Sequence, residues 1–248
     1  MSYFLYIILG LLPSFIWLCF FLRKDVHPES KRMILKIFIW GMASTLPIIF
    51  VVISLILLES LEDIKNMIGI SIIGLALYVL FWATAEEVLK YLVVRYKVLR
   101  SSEFDEPIDI MLYMIIAGLG FAALENILIL FGAHPLFTFP ELFFLAFLRF
   151  ISATFLHALC SGLIGYYMAL SFFETKQRKK LLLFGIGIAS LLHGVYNFPI
   201  IIIEKDIVYE PVLVIALISI PIIVLIGLAA FALVAFKKIK KLKSVCKI

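Results

Sequence analysis

Charge is what this sequence has least of: 16% of its 248 residues are Asp, Glu, Lys or Arg, while 64% are hydrophobic. Soluble globular domains are about half apolar and about a quarter charged, so the shortage excludes an ordinary soluble fold. Cysteine is nearly absent too. Cys19, Cys160 and Cys246 share no spacing, which excludes a disulfide framework and a CxxC metal knuckle. No basic segment precedes the first apolar run and no small-residue cleavage site follows it. That run is therefore expected to be a retained helix, not a removed signal peptide. The chain also lacks internal repeats, low-complexity linkers and loops long enough to fold separately, so 1–248 is expected to form one integral-membrane domain. The HExxH helix of soluble zinc proteases is missing as well.

What is present is a series of long apolar runs. Seven of them, at about 3–22, 34–58, 67–94, 108–131, 141–173, 181–202 and 211–236, can cross a hydrocarbon core, which takes about 20 residues. The expectation is an all-α polytopic helix bundle in the cell membrane. Pro13, Pro47, Pro199 and Pro221 fall inside spans or near their ends, where neighbouring helices can re-satisfy a broken backbone. Net charge +5 would suit nucleic acid, but the placement of the cations excludes that partner. They gather at Arg23–Lys36, Arg95–Arg100, Lys176–Lys180 and Lys237–Lys247. The positive-inside tendency puts these segments in the cytoplasm, with the N-terminus outside and the C-terminus inside. The basic tail suits anionic headgroups of the bilayer.

Removing the loops leaves a short set of polar groups at membrane depth. Glu86, Glu87 and Lys90 lie in the third span and Glu125 and Asn126 in the fourth. Arg149 and His157 lie in the fifth, and His193 and Asn197 in the sixth. A charge at the centre of a spanning helix costs on the order of 3 kcal/mol, so such groups face the bundle interior and mark function. Four consecutive spans contribute, which predicts one polar cavity. Lys90 is three and four residues from the glutamates and can reach either. Adjacent helical residues diverge by about 100°, so the two glutamates are not expected to point at one spot. Arg149 is expected to snorkel or to pair with Glu125, structural in either case, with Glu125 nearer the outer side. His27 and His134 are expected in loops. Small residues, Gly118, Gly120, Gly162, Gly165, Gly185, Gly187 and Gly194 among them, are expected to let helices approach closely.

A carboxylate and an imidazole together can deprotonate a water and aim it at a carbonyl carbon. His193 and Asn197 are placed to stabilise the oxyanion that forms. Glu86, His157 and His193 also make a three-ligand set for Zn2+, with a fourth position for water. Either scheme hydrolyses amides. Cys160 and Ser161 adjoin His157 without being placed as nucleophiles. Two other classes fit the same residues: an ion- or proton-coupled transporter, and a scaffold that uses its polar groups for assembly. Transporters usually carry repeats, which this chain lacks.

The motifs EEVLK (86–90), FAALEN (121–126), HALCSG (157–162) and HGVYNF (193–198), in that order, resemble the PrsW family of bacterial intramembrane proteases. RKDVHPESKR (23–32) resembles that family's basic first loop, and the likeness spans roughly 13–200. The resemblance implies membership of a superfamily shared with CAAX prenyl proteases and bacteriocin-processing homologues. It implies Glu86, Glu87 and His157 as catalytic residues, and His193 and Asn197 as an HxxxN oxyanion motif. Lys90, Glu125 and Asn126 take supporting places. The arginine of the CAAX branch is replaced by Glu125, which argues against a prenylated substrate. The implied substrate is a single-span membrane protein such as an anti-sigma factor. The superfamily also includes a non-catalytic scaffold subunit of gamma-secretase, so fold alone does not establish activity. The motifs favour a glutamate mechanism with no required cofactor, Zn2+ being the alternative.

Overall fold

A computed structural model describes residues 3–24, 29–59, 72–99, 101, 104, 106–134, 136–205 and 207–242. Among them the chain is helical throughout, without strands. The helices are α1 (Tyr3–Leu22), α2 (Lys31–Ala43), α3 (Leu46–Glu59), α4 (Ile72–Lys97), α5 (Pro107–Ala133), α6 (Phe139–Ile151), α7 (Ala153–Phe173), α8 (Arg178–Glu204) and α9 (Pro211–Ile239). They make seven stretches long and apolar enough to cross a membrane, close to the seven expected. Cys246 of the basic tail and His27 of the first loop lie outside the described residues.

Local chemistry sets the helix starts. The Ser30 hydroxyl accepts from the Met33 N–H at 3.3 Å and caps α2. Asp109 accepts from the Glu106 N–H at 2.6 Å at the start of α5, and Glu141 accepts from the Thr138 N–H at 2.7 Å at the start of α6. Pro107 and Pro211 open α5 and α9, where a missing N–H costs nothing.

Two of the expected spans are broken helices. The second divides at Ser44–Thr45, between α2 and α3. Pro47 has no N–H to give and its ring crowds the preceding turn, so the helix must restart. The fifth divides at Ser152, where φ is −118° and ψ −85°. No proline explains this break. The Ser152 hydroxyl bonds back to the Leu148 carbonyl at 2.6 Å, and the Trp17 indole donates to the Phe150 carbonyl at 2.9 Å. A side chain from α1 thus satisfies a carbonyl that the continuous helix would have used.

α5 is the centre of the bundle. Every residue from Pro107 to Ala123 is buried, and the helix packs most extensively on α7, α1 and α2. Apolar side chains give little drive for helix association in lipid, so close backbone approach through small residues carries the packing. A Cβ on Gly41 would strike the Ala117 carbonyl, and one on Gly120 the Phe38 carbonyl. Gly165 meets the Met111 backbone in the same manner, and Gly118 meets the Ser161 side chain and the His157 carbonyl. Gly187 departs from the expectation, having no neighbour within 4 Å. On the outside, large apolar side chains such as Phe50, Ile73, Phe81 and Ile223 are exposed, as a lipid-facing surface requires.

Gly120→Ala is accordingly expected to destabilise the fold by about 1–3 kcal/mol, the usual cost of overpacking. Gly187→Ala should stay within about 0.5 kcal/mol. Thermal unfolding of the two variants in detergent separates them; equal stability would refute the tight α2–α5 seam.

Candidate active site

The polar residues of four spans do meet. Lys90 on α4 sits at their centre, its side chain 0% exposed. Its ammonium donates to Glu87 Oε1 at 2.7 Å, lies 2.7 Å from His157 Nδ1 on α7 and 3.8 Å from Glu86 Oε2. It also stands 4.4 Å above the Phe121 ring of α5. An ammonium has donors and no acceptor, so the contact with His157 makes Nδ1 the acceptor and leaves the imidazole proton on Nε2. That proton points at Glu125 Oε2, 3.0 Å away. Glu125 in turn accepts from Arg149 Nη2 at 2.7 Å, and Arg149 Nε donates to Asn126 Oδ1 at 2.7 Å. Asn126 completes the chain by donating to Thr154 Oγ1 at 2.9 Å.

His193 on α8 is held the same way from the other side. Its Nδ1–H donates to Glu87 Oε1 at 2.9 Å, which leaves the Nε2 lone pair 3.8 Å from Glu86 Oε2. His157 Nδ1 is 4.0 Å from that same oxygen, and the two rings meet edge to face with centroids 5.0 Å apart. Each histidine is therefore tied to a carboxylate through one nitrogen and turns the other toward Glu86.

One expectation is corrected. The two adjacent glutamates do reach one spot, since both lie within 4 Å of Lys90 and of His193. Their backbones diverge by the helical angle, but three side-chain torsions bring the carboxylates back together around the ammonium. They still differ in setting. Glu87 is 0% exposed and holds Lys90 and His193 through Oε1, whereas Glu86 is 13% exposed and makes only longer contacts; Oε2 of each lacks a hydrogen bond. Glu125 is 27% exposed, so the cluster opens toward the surface of the bundle beside Glu86 and Glu125.

The remaining candidates divide. Arg149 pairs with Glu125 as expected. Glu125, expected nearer the outer side, bonds His157 directly. Asn197 is half-buried one turn beyond His193, and no hydrogen bond among the described residues joins it to the cluster. Cys160 and Ser161 are buried; the thiol contacts the Ala189 carbonyl at 3.7 Å and the hydroxyl has no partner. His134 ends α5 with its ring 4.9 Å from that of Tyr6, away from the site. Thr154 and Phe121 were not singled out from sequence. A threonine one turn before His157 was the available signal for the first; nothing but its place in FAALEN marked the second.

The group suits a cation. Glu86, His157 and His193 offer ligand atoms within 4.8 Å of one another. Histidines that ligate metals usually give their other N–H to a carboxylate or carbonyl, and both do so here. Three carboxylates, Glu86, Glu87 and Glu125, stand beside two cations, Lys90 and Arg149.

Comparison with known proteins shows the family. A family described as "PrsW family intramembrane metalloprotease" matches residues 29–226. "Protease PrsW" of Geobacillus kaustophilus is 32% identical over 197 residues, covering 79% of this chain and 80% of that protein. The protein of the same name from Bacillus subtilis is 32% identical over 204 residues, 81% of this chain and 84% of its own. That of Clostridioides difficile is 24% identical over 198 residues, 79% of each. No solved structure matches.

Lys90→Met should destabilise the fold strongly, by about 3–5 kcal/mol, because it strips a buried carboxylate of its partner. Adding Glu87→Gln should restore part of that loss. Unfolding measured in detergent for the single and double variants tests this; a harmless Lys90→Met would show that the buried pair is not a structural element.

Proposed function

Since this chain belongs to the PrsW family of intramembrane proteases, we propose that it cleaves a membrane-anchored protein at a centre formed by Glu86, His157 and His193, which hold a divalent metal. The observation that carries the reading is Glu86 Oε2. This oxygen is buried without a hydrogen bond and faces the ring nitrogens that the two carboxylate–histidine pairs do not use, His193 Nε2 at 3.8 Å and His157 Nδ1, which accepts from Lys90, at 4.0 Å. Glu86, His157 and His193 would hold such an ion, Zn2+ by the chemistry of the donor set, and it would supply Lewis acidity for a carbonyl and for a water.

The chain's own groups do the rest. Glu87 fixes the His193 tautomer and Glu125 that of His157, so both rings keep a lone pair turned inward. Arg149 and Asn126 hold Glu125 in place. Of the two carboxylates nearer the surface, Glu86 and Glu125, Glu86 is the one that faces both histidines. Its second oxygen accepts the proton of the attacking water and returns it to the departing amine as the C–N bond breaks. Asn197, one turn from His193, is left for the substrate carbonyl. We place the basic segments in the cytoplasm and the N-terminus outside, and take a single-span protein such as an anti-sigma factor as the substrate.

A second reading, a glutamate mechanism that needs no metal, is favoured by one contact. Lys90 stands 2.7 Å from His157 Nδ1, the nitrogen a metal would use. Purified protein acting on a single-span reporter decides between them. Treatment with a strong chelator should remove bound metal, measured by elemental analysis, and abolish cleavage, with added Zn2+ restoring both. Undiminished cleavage by metal-stripped protein would leave the glutamate mechanism. Glu86→Gln, His157→Ala and His193→Ala should each lower the rate on the order of 10²–10⁴-fold without unfolding the protein. Full activity in all of them would remove the site altogether.

A further inference from the structure

We propose that a second site, away from the polar cluster, binds the phosphate headgroup of an anionic phospholipid. A cavity of about 370 Å³ opens between the end of α4, α7 and the start of α8. Its walls are apolar, with Phe172 and Leu182 among them, while Arg95, Arg178 and Lys179 stand around it. All three cations are exposed, and two of them are held by contacts. Arg95 Nη1 donates to the Tyr91 hydroxyl at 3.0 Å, and the Arg178 guanidinium lies 4.8 Å from the centre of the Phe172 ring. Tyr91 and Phe172 themselves line the cavity.

Among the described residues no carboxylate pairs with Arg95, Arg178 or Lys179. Positive charges drawn to one cavity repel one another, and an anion between them removes that cost. Guanidinium groups match phosphate oxygens with paired donors. The depth is right for a headgroup. Arg95 lies in the last turn of α4 and Arg178 opens α8, so both sit where spanning helices leave the hydrocarbon. Basic pockets between helix ends are the kind of site that takes anionic lipid heads. The apolar walls give the first part of an acyl chain a place that free phosphate would not use.

The site is independent of the metal reading and is tested without measuring proteolysis. The full chain, purified in detergent, is titrated with phosphatidylglycerol, phosphatidylcholine or inorganic phosphate, and bound ligand is followed by native mass spectrometry. The variants are Arg95→Gln/Arg178→Gln/Lys179→Gln in the cavity and Lys237→Gln/Lys238→Gln/Lys240→Gln/Lys241→Gln in the basic tail. The expected result is preference of the native chain for phosphatidylglycerol over phosphatidylcholine, with about tenfold or greater loss in the cavity variant. The tail variant should keep its affinity. Arg95→Gln and Arg178→Gln singly should each show part of the loss, which keeps the test available if the triple variant does not fold. Equal binding of the neutral lipid, no loss in the cavity variants, or an equal loss in the tail variant would overturn the proposal. Inorganic phosphate bound with the same dependence on Arg95 and Arg178 would also overturn it, assigning the cavity to a soluble anion.

Discussion

The buried ammonium of Lys90 is the constraint around which this bundle is arranged. A charge at membrane depth is tolerated only when it is paired and hydrogen-bonded, and no water is at hand to supply a missing partner. Lys90 takes its partners from its own helix and from α7, and Glu87 passes the connection on to α8. Glu125 and Arg149 extend it to α5 and α6. The polar contacts thus define which faces of five helices must meet. The apolar surfaces, which lipid would accept in many arrangements, are far less selective. Glycines make the arrangement reachable: Gly118 brings α5 against α7 at His157 and Ser161, so the carboxylate of Glu125 comes within bonding distance of the ring.

The broken fifth span belongs to the same requirement. A straight helix from Phe139 to Phe173 carries Arg149 and His157 eight residues apart, slightly more than two turns, and fixes their relative direction. Division at Ser152 frees α6 to bring Arg149 onto Glu125 and Asn126 while α7 holds His157 against Lys90. The backbone freed by the break is covered inside the protein by Trp17 and by Ser152 itself, which is the condition for irregular backbone at membrane depth.

Much of this was legible in the order of residues because a charge within an apolar run is expensive and therefore meaningful. Glu86, Glu87, Lys90, Glu125, His157 and His193 stand out on that ground alone, and all of them meet. The spans were legible by length. What escaped was what short-range pattern does not encode. Ser152 breaks a helix with no proline near it, because a tryptophan more than a hundred residues away supplies the missing donor. The convergence of Glu86 and Glu87 escaped because helical angles describe Cβ directions, and long side chains are free to turn back. Thr154 is an unremarkable residue until Asn126 is placed beside it.

The same residues bear on how the proposed metal site fits a cluster that also ties the helices together. With neutral imidazoles, Lys90 completes the cluster by donating to His157 Nδ1 as well as to Glu87. On the metal reading His157 Nδ1 is needed as a ligand, so the ammonium and the ion compete for one lone pair. Lys90 need not leave the cavity to yield it. Its bond to Glu87 keeps the charge paired, Phe121 still faces it, and the excess of carboxylates over cations offsets the added positive charge. Glu87 is thereby the residue common to both forms: it neutralises Lys90 whether or not His157 is released, and it fixes the His193 proton in each. The division between the adjacent glutamates follows from this. The buried one pairs with Lys90 and His193, and the other lies nearer the surface of the bundle with its carboxylate turned toward both histidines.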